Sequence, residues 1–449
     1  MVGPEQIFAV CLTILVIGGG VGLFWWRGRA VGYAPYFAGW FLTWPVIGYM
    51  GAQGFTGLVV FLALPVLIFV RPKSIPAYAM VFFAFLGWVV AASFWSPSGK
   101  PLLEGSLSAG TFTMDMVGAR VALTGLACTA MLLAVRHIPE MITGKSVLVI
   151  RVTALVQGVS VLVTALAMQP IITLIVNSGQ SDVSNMTQNL LRNATSFLLL
   201  LPWLLAWLWQ LSGRLKGKIL AVIILILAMA AFTLTGTQTA MVGTMFILAA
   251  MGLVHWLPNQ GFRVLFSAIA AYVSLAPVIL SYGLSQLRLL GVPLPASFFS
   301  RSYSWELVGQ KIGEKPFFGH GLEASHNWND TYADHPEWLA DSVVRYGDKV
   351  DFTNYSVVPT HPHNMALQIW AETGMVGAFL VALAILLLGW RLRAPSDWSP
   401  ISRYAAAGLT GAALAMFSFA YSMWNEAFWA SVAVAAAVIL LQARQDGEV

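Results

Sequence analysis

The stretch HPHNMALQIWAETGMVGAFLVALAILLLGW, residues 361–390, decides how the chain is read. Residues 366–390 form an apolar run of the length a helix needs to cross a bilayer core. Its start nevertheless holds two histidines, an asparagine, a glutamine and a glutamate. Pro362 suits the first position of a helix, and good helix formers come after it. Asn364, Gln368 and Glu372 are spaced by four and stack on one helix face, with His361 one turn earlier and His363 beside it. Ionisable groups at membrane depth face a protein interior or a wet cavity. A helix start also leaves free N–H groups that favour an anion. An ordinary interfacial helix start with polar anchors would account for a single histidine. Five polar residues around one face fit a site better.

Apolar runs of this length recur. Spans are expected near 7–26, 33–50, 54–70, 77–95, 119–135, 147–174, 195–212, 217–234, 238–256, 263–281, 366–390, 402–420 and 424–441. That predicts an all-α, polytopic integral membrane protein of 12–13 transmembrane helices. Composition agrees: with 58% hydrophobic and 10% charged residues, 449 residues carry too little charge to cover a soluble surface. The opening MVGPEQIFAVCLTILVIGGG lacks the basic region of a cleaved signal peptide, so the first span is expected to stay. Cys11 and Cys128 both fall in apolar runs, which speaks against a disulfide framework or a thiol metal site.

The net charge of +5 marks loops rather than a nucleic-acid partner. Alternate loops carry Arg27 and Arg29; Arg71 and Lys73; Arg136 and Lys145; Arg214, Lys216 and Lys218; Arg263; then Arg391, Arg393 and Arg403. The positive-inside rule makes these cytoplasmic without one inversion. Residues 282–365 are too polar to span and fall on the other side. The expected organisation is therefore N-terminal transmembrane helices over 1–281, a large loop on the non-cytoplasmic side over 282–365 (periplasmic in a bacterial inner-membrane protein) and C-terminal transmembrane helices over 366–449. The loop holds five of the seven histidines, and a connection this long tends to be functional.

Arginines on the side that should lack positive charge include Arg120 and Arg192, each just before a span, and Arg301 in RSYSWELVGQKIGEKPFFGHGL. An arginine clamps a phosphate through a planar fork of donors, so an anionic ligand at the outer face would explain them; snorkelling to headgroups is the alternative. His320, His326 and His335, with Glu323, Asp330 and Asp334 nearby, match no zinc signature and read as surface-loop residues. The sequons at Asn185 and Asn193 carry little weight. The chain shows no Walker A motif, dinucleotide fingerprint or G-x-S-x-G elbow, which argues against a nucleotide-driven pump or a serine hydrolase.

Three features resemble the O-antigen ligase and polymerase superfamily of bacterial envelope proteins. One is the many-span layout with a single large loop before the last spans. The second is Arg301-x-x-x-Trp305 followed by Pro316, Gly319 and Gly321. The third is His363-Asn364-x-x-Leu367-Gln368-x-x-x-Glu372-x-Gly374-x-x-Gly377. The resemblance implies a metal-independent, inverting membrane glycosyltransferase of the all-helical GT-C-like kind, without a cofactor, in the bacterial inner membrane. Its donor would be a glycan on undecaprenyl diphosphate and its acceptor a sugar hydroxyl, on lipid A-core for a ligase or on another lipid-linked repeat unit for a polymerase. Carried onto this chain, His363 would be the catalytic histidine and Arg301 and Arg192 would hold the diphosphate. His361, Asn364, Gln368 and Glu372 would serve the substrate side, orienting the histidine and binding sugar hydroxyls. One departure stands out: many relatives carry an arginine where TLTGTQTAMVG places Gln238, which cannot neutralise a phosphate.

The chemistry is self-consistent. Attack on the anomeric carbon needs a base near the incoming hydroxyl, which a histidine supplies, and arginines stabilise the charge that grows on the leaving diphosphate. A transporter would instead show inverted repeats and helices broken near the midplane, and the sequence shows neither.

Overall fold

A computed structural model describes residues 33–50, 54–69, 74–102, 104–106, 111–137, 144–177, 183–211, 215–292, 296–332, 356–392 and 398–445. The expected span 7–26 lies outside these residues, as do Cys11, Arg27, Arg29, Arg71, Lys73, Arg214, Asp334, His335, Arg393 and the side chain of Asn185. The architecture is helical. Its helices are α1 Tyr33–Phe41, α2 Trp44–Met50, α3 Gly54–Phe69, α4 Ala77–Ala92, α5 Val117–His137, α6 Gly144–Leu166, α7 Met168–Asn177 and α8 Val183–Gln210. They continue with α9 Leu215–Leu234, α10 Gln238–Trp256, α11 Gly261–Ala276, α12 Gly283–Leu289, α13 Ala296–Glu314, α14 Met365–Arg391, α15 Pro400–Phe419 and α16 Glu426–Gln445. A small antiparallel hairpin, β1 Glu104–Ser106 with β2 Thr111–Thr113, lies before α5 and was not expected.

Eight helical stretches among the described residues are long and apolar enough to cross a membrane, and Gly54–Leu64 and Val117–Leu133 are shorter apolar helices. The protein is a polytopic membrane protein. Two expected spans are divided: 33–50 at Leu42–Thr43, ahead of Pro45, and 147–174 at Ala167. Pro277 converts the end of α11 into a π-helical turn, Pro277–Tyr282, which leads into α12, so that span runs on to Leu289. The side-chain pattern is that of a membrane bundle. On α6, Leu148, Val152, Leu155, Val159, Val163 and Leu166 are exposed, while Ser146, Thr153, Ala154, Gln157 and Thr164 are buried. On α9 the buried residues include Gly217, Ala221, Ala228 and Ala231, and the large aliphatic ones face outward. Small residues let helices approach closely where lipid, not water, surrounds them. Asn193 is part of this interior: Gln157 Nε2 donates to its Oδ1 at 2.6 Å, and its Nδ2 donates to Ser160 Oγ at 2.9 Å. A buried asparagine of this kind is no glycan acceptor.

α14 packs against α4 and α11 and departs from expectation in two ways. It does not begin at Pro362. Asn364 is the N-cap, accepting from the Ala366 and Leu367 N–H groups at 3.1 Å each, and His363 before it is left-handed at φ 49°. Two of the N–H groups expected to be free for an anion are thus satisfied within the protein. The helix is also broken, which nothing in its hydropathy pattern announces and which corrects the expectation that no span is interrupted: Gly374 has φ 68° and ψ −168°. The break frees the carbonyls of Ala371 and Glu372 and the N–H groups of Met375 and Val376, which an unbroken helix would pair with one another. Residues 316–321 take all four. His320 N–H donates to the Ala371 carbonyl at 2.8 Å and Gly321 N–H to the Glu372 carbonyl at 3.0 Å. Met375 N–H donates to the Pro316 carbonyl at 2.8 Å and Val376 N–H to the Phe317 carbonyl at 3.3 Å. The next carbonyl, of Thr373, accepts from Trp88 Nε1 at 2.9 Å.

This stitching explains the glycines. A Cβ on Gly374 would overlap the Phe317 carbonyl, one on Gly319 would sit 2.5 Å from the Glu372 carbonyl carbon, and Gly319 and Gly321 are left-handed at φ 69° and 95°. A Gly374→Ala substitution combines a left-handed strain with a backbone clash and should cost about 3 kcal/mol. Gly252→Ala on α10 has open space around its Cβ and should be neutral or stabilising by about 0.5–1 kcal/mol. Thermal unfolding of the two variants in detergent checks the contrast.

Candidate active site

Glu372 is fully buried just before the break, and its carboxylate is ringed by donors. Oε2 accepts from the Glu323 N–H at 2.6 Å and from Trp424 Nε1 at 2.5 Å. Oε1 accepts from Ser325 Oγ at 2.8 Å and Gln368 Nε2 at 3.3 Å. These partners come from α14, from the Ala324–Asn327 turn and from the connection between α15 and α16, so one side chain ties three segments together. Gln368 reinforces the tie: its Oε1 accepts from the Met423 N–H at 2.8 Å, and its Nε2 donates to Ser422 Oγ at 3.0 Å. Asn364, besides capping, donates from Nδ2 to Tyr272 OH at 2.6 Å. Asn364, Gln368 and Glu372 are all buried and taken up by protein partners, so they frame the site and do not present free groups to a sugar.

The two histidines sit on this frame. Ser325 Oγ is 3.1 Å from the Thr360 carbonyl, and Trp305 Nε1 donates to the Pro362 carbonyl at 2.8 Å. The His361 and His363 rings stack at 4.1 Å between centroids. His363 Nδ1 is 3.0 Å from the His361 carbonyl, which can only accept. Nδ1 therefore carries the proton and the lone pair of His363 is on Nε2. The His363 N–H donates to His361 Nδ1 at 3.1 Å, so His361 carries its proton on Nε2. The pair thus presents one acceptor nitrogen and one donor nitrogen. Burial, with the neighbouring His363 and His326 adding to it, pushes the His361 pKa down to about 3. Burial also lowers the pKa of His363; the His361 carbonyl works against this and the charge of Arg301 adds to it. Both rings are neutral at pH 7.

Arg301, on α13, reaches this site. Its Nη2 donates to the Phe419 carbonyl at 3.2 Å, and its guanidinium lies 5.6 Å from the Phe419 ring centroid. Arg192 is elsewhere, exposed on α8, 3.4 Å from Gln188 Oε1. It lines a cavity of about 530 Å³ with Arg120, Tyr421, Trp424 and Glu426. Arg120 is paired with Glu426 at 2.8 Å. Both Arg301 and Arg192 therefore approach the α15–α16 connection, Arg301 at Phe419 and Arg192 at the Tyr421–Trp424 side. Gln238 is exposed at the start of α10. Of the loop histidines, His320 donates from Nε2 to the Lys311 carbonyl at 2.7 Å, and His326 Nδ1 is 4.0 Å from Glu323. Among the described residues no three His, Cys, Asp or Glu side chains gather into a metal-sized group.

Three contributors are not visible in the sequence: Ser325, Trp424 and Tyr272. Tyr272 and Trp424 are aromatic residues in or beside apolar spans, where interfacial anchoring is the ordinary explanation, and Ser325 carries no pattern at all. Trp305 stands in the Arg301 motif, but its bond to the Pro362 carbonyl is evident only in the fold. Arg288 was also missed; it is ion-paired to Glu306 and stacks over Tyr303 at 3.8 Å.

The class is thus a polytopic membrane protein with a histidine pair and an arginine held at one end of its bundle. Residues 221–382, a little over a third of the chain, match the model of the O-antigen ligase family. The match contains Arg301, the 316–321 segment and all of residues 361–377. A protein of Rickettsia conorii named as a candidate polysaccharide ligase is 32% identical over 84 residues, which covers 18% of this chain and 16% of that protein. No solved structure matches the chain.

The four-donor ring around Glu372 gives a direct test. Glu372→Gln places an NH₂ among donors and leaves at least one of them unpaired, at a cost of about 1–3 kcal/mol. Unfolding in detergent should show that loss, and a neutral outcome would remove Glu372 as the knot of the frame.

Proposed function

We propose that the protein is an O-antigen ligase, moving a glycan from undecaprenyl diphosphate to a sugar hydroxyl of lipid A-core at the periplasmic face of the inner membrane. The observation that carries this reading is the neutral His363 with its lone pair on Nε2, within the electrostatic reach of Arg301. The acceptor oxygen would attack the anomeric carbon, His363 Nε2 would take its proton, and the bond to the diphosphate oxygen would break. Arg301 would neutralise the charge that grows on the diphosphate as it leaves. A single displacement inverts the anomeric centre. His361, through its Nε2–H, would donate to a sugar or phosphate oxygen. Arg192 would hold donor charge from the cavity across the α15–α16 connection. Asn364, Gln368 and Glu372 would position the histidines through the frame. The periplasmic placement is supported by the basic residues: Arg136, Arg263, Arg391 and Arg403 mark the other end of the bundle, which the positive-inside rule assigns to the cytoplasm. The matching family and the relative both bear the name of a ligase, and the alternative is a polymerase that joins lipid-linked repeat units.

Purified protein in proteoliposomes, given lipid-linked glycan with and without lipid A-core, should place glycan on the core and form no product without it. A ladder of lipid-linked polymer made in the absence of the core would show a polymerase instead. His363→Ala should lower kcat by about 10²–10⁴-fold, the ordinary contribution of a general base.

The acid limb of kcat/KM should lie below 6.5, because burial and Arg301 both disfavour the His363 imidazolium. Arg301→Gln removes a nearby positive charge, so it should move that limb to higher pH while weakening donor binding. A limb that stays put or moves to lower pH would contradict the pairing of these two residues.

A further inference from the structure

We propose that the cavity enclosed by α4, α5, α11, α14, α15 and α16 binds an anionic glycerophospholipid, its phosphate on Arg136 and Arg391 and an acyl chain inside. The cavity measures about 540 Å³, within the ~300–1,000 Å³ of sites that enclose small ligands. It lies at Ala384–Arg391 of α14, roughly 30 Å along the helix from the histidine end at 1.5 Å per residue. It is therefore separate from the site above.

The chemistry of the walls selects the occupant. Leu132, Ile385, Leu388, Leu409 and Ile439 supply the interior. Two threonines also line it, and both hydroxyls are spent on their own helices: Thr129 Oγ1 donates to the Gly125 carbonyl at 2.8 Å and Thr410 Oγ1 to the Ala406 carbonyl at 2.9 Å; a third hydroxyl, of Tyr78, lies toward the mouth. Such an interior offers a sugar or a nucleotide little to bond and suits a hydrocarbon chain. Arg136 and Arg391 line the same cavity, and neither forms an ion pair among the described residues. A second depression of about 380 Å³ shares Tyr78 and Arg391 with it and adds the exposed Trp390, extending the mouth outward. Tryptophan and tyrosine at a cavity mouth mark headgroup level in membrane proteins. Basic pockets between transmembrane helices at the end rich in arginine are suited to anionic headgroups.

Native mass spectrometry of the detergent-solubilised full chain tests this with phosphatidylglycerol and phosphatidylcholine of the same acyl composition. Each arginine should favour phosphatidylglycerol by about 5-fold, from about 1 kcal/mol per basic residue near an anionic surface. Arg391→Gln, at an exposed position, should reduce the preference, and Arg136→Gln should reduce it further. Ala436→Phe, which fills the cavity, should weaken both lipids alike. Inorganic phosphate should not displace the bound lipid. Equal affinity for the two lipids, a preference that survives Arg391→Gln, displacement by inorganic phosphate, or displacement by a polyprenyl diphosphate in preference to phosphatidylglycerol would each overturn the proposal.

Discussion

The four hydrogen bonds that α14 exchanges with residues 316–321 around Gly374 are the constraint on which the rest of the site depends. A buried helix cannot simply break, because each unpaired backbone group in an apolar surrounding costs free energy comparable to a lost hydrogen bond. Here the break is complete and so is its repair. The repair forces residues 316–321 against the helix, and that in turn delivers Glu323 and Ser325 to the Glu372 carboxylate. The Pro-x-x-Gly-x-Gly and Glu-x-Gly-x-x-Gly patterns are two halves of one joint.

What the joint supports is a strained pair of histidines. His363 and Glu323 are the non-glycine left-handed residues among those described; Glu323 borders the Glu372 carboxylate and His363 lies in the histidine turn. Left-handed backbone at such residues persists where neighbours over-determine it, and it concentrates at functional sites. At His363 the neighbours are identifiable: the Asn364 cap anchors the first turn of α14 on its C-terminal side, and Trp305 holds the Pro362 carbonyl on its N-terminal side. The same turn lets the His363 ring bond the His361 carbonyl, and so backbone conformation selects the tautomer. Burial favours the neutral ring of His363, and the positive charge of Arg301 adds to that. One residue serves both the base and the anion the reaction would release.

Much of this was legible in the sequence. The hydropathy runs gave the bundle, and the i, i+4 spacing of Asn364, Gln368 and Glu372 put them together on one face, where Gln368 and Glu372 do bond. The histidine motif falls in the turn that leads into α14. The break at Gly374 was not legible, because a glycine in an apolar helix costs only about 1 kcal/mol and needs no special reason. Its partner segment lies more than fifty residues away, and nothing local announces the exchange. The burial of Asn364, Gln368 and Glu372, which the motif alone suggests as substrate ligands, was hidden for the same reason: their partners, Tyr272, Ser325, Ser422 and Trp424, come from distant segments. Arg192 and Arg301 looked equivalent along the chain, and only the fold sets Arg301 by the histidines and Arg192 in a separate cavity.

The His361 carbonyl sets the tautomer of His363, a neutral ring with its lone pair on Nε2. Solid-state ¹⁵N NMR of histidine-labelled protein in lipid at pH 7, with His363→Gln used to assign the signals, measures this directly. The account predicts a protonated Nδ1 and an unprotonated Nε2 for His363. A protonated Nε2, in either the opposite tautomer or the imidazolium, would contradict it.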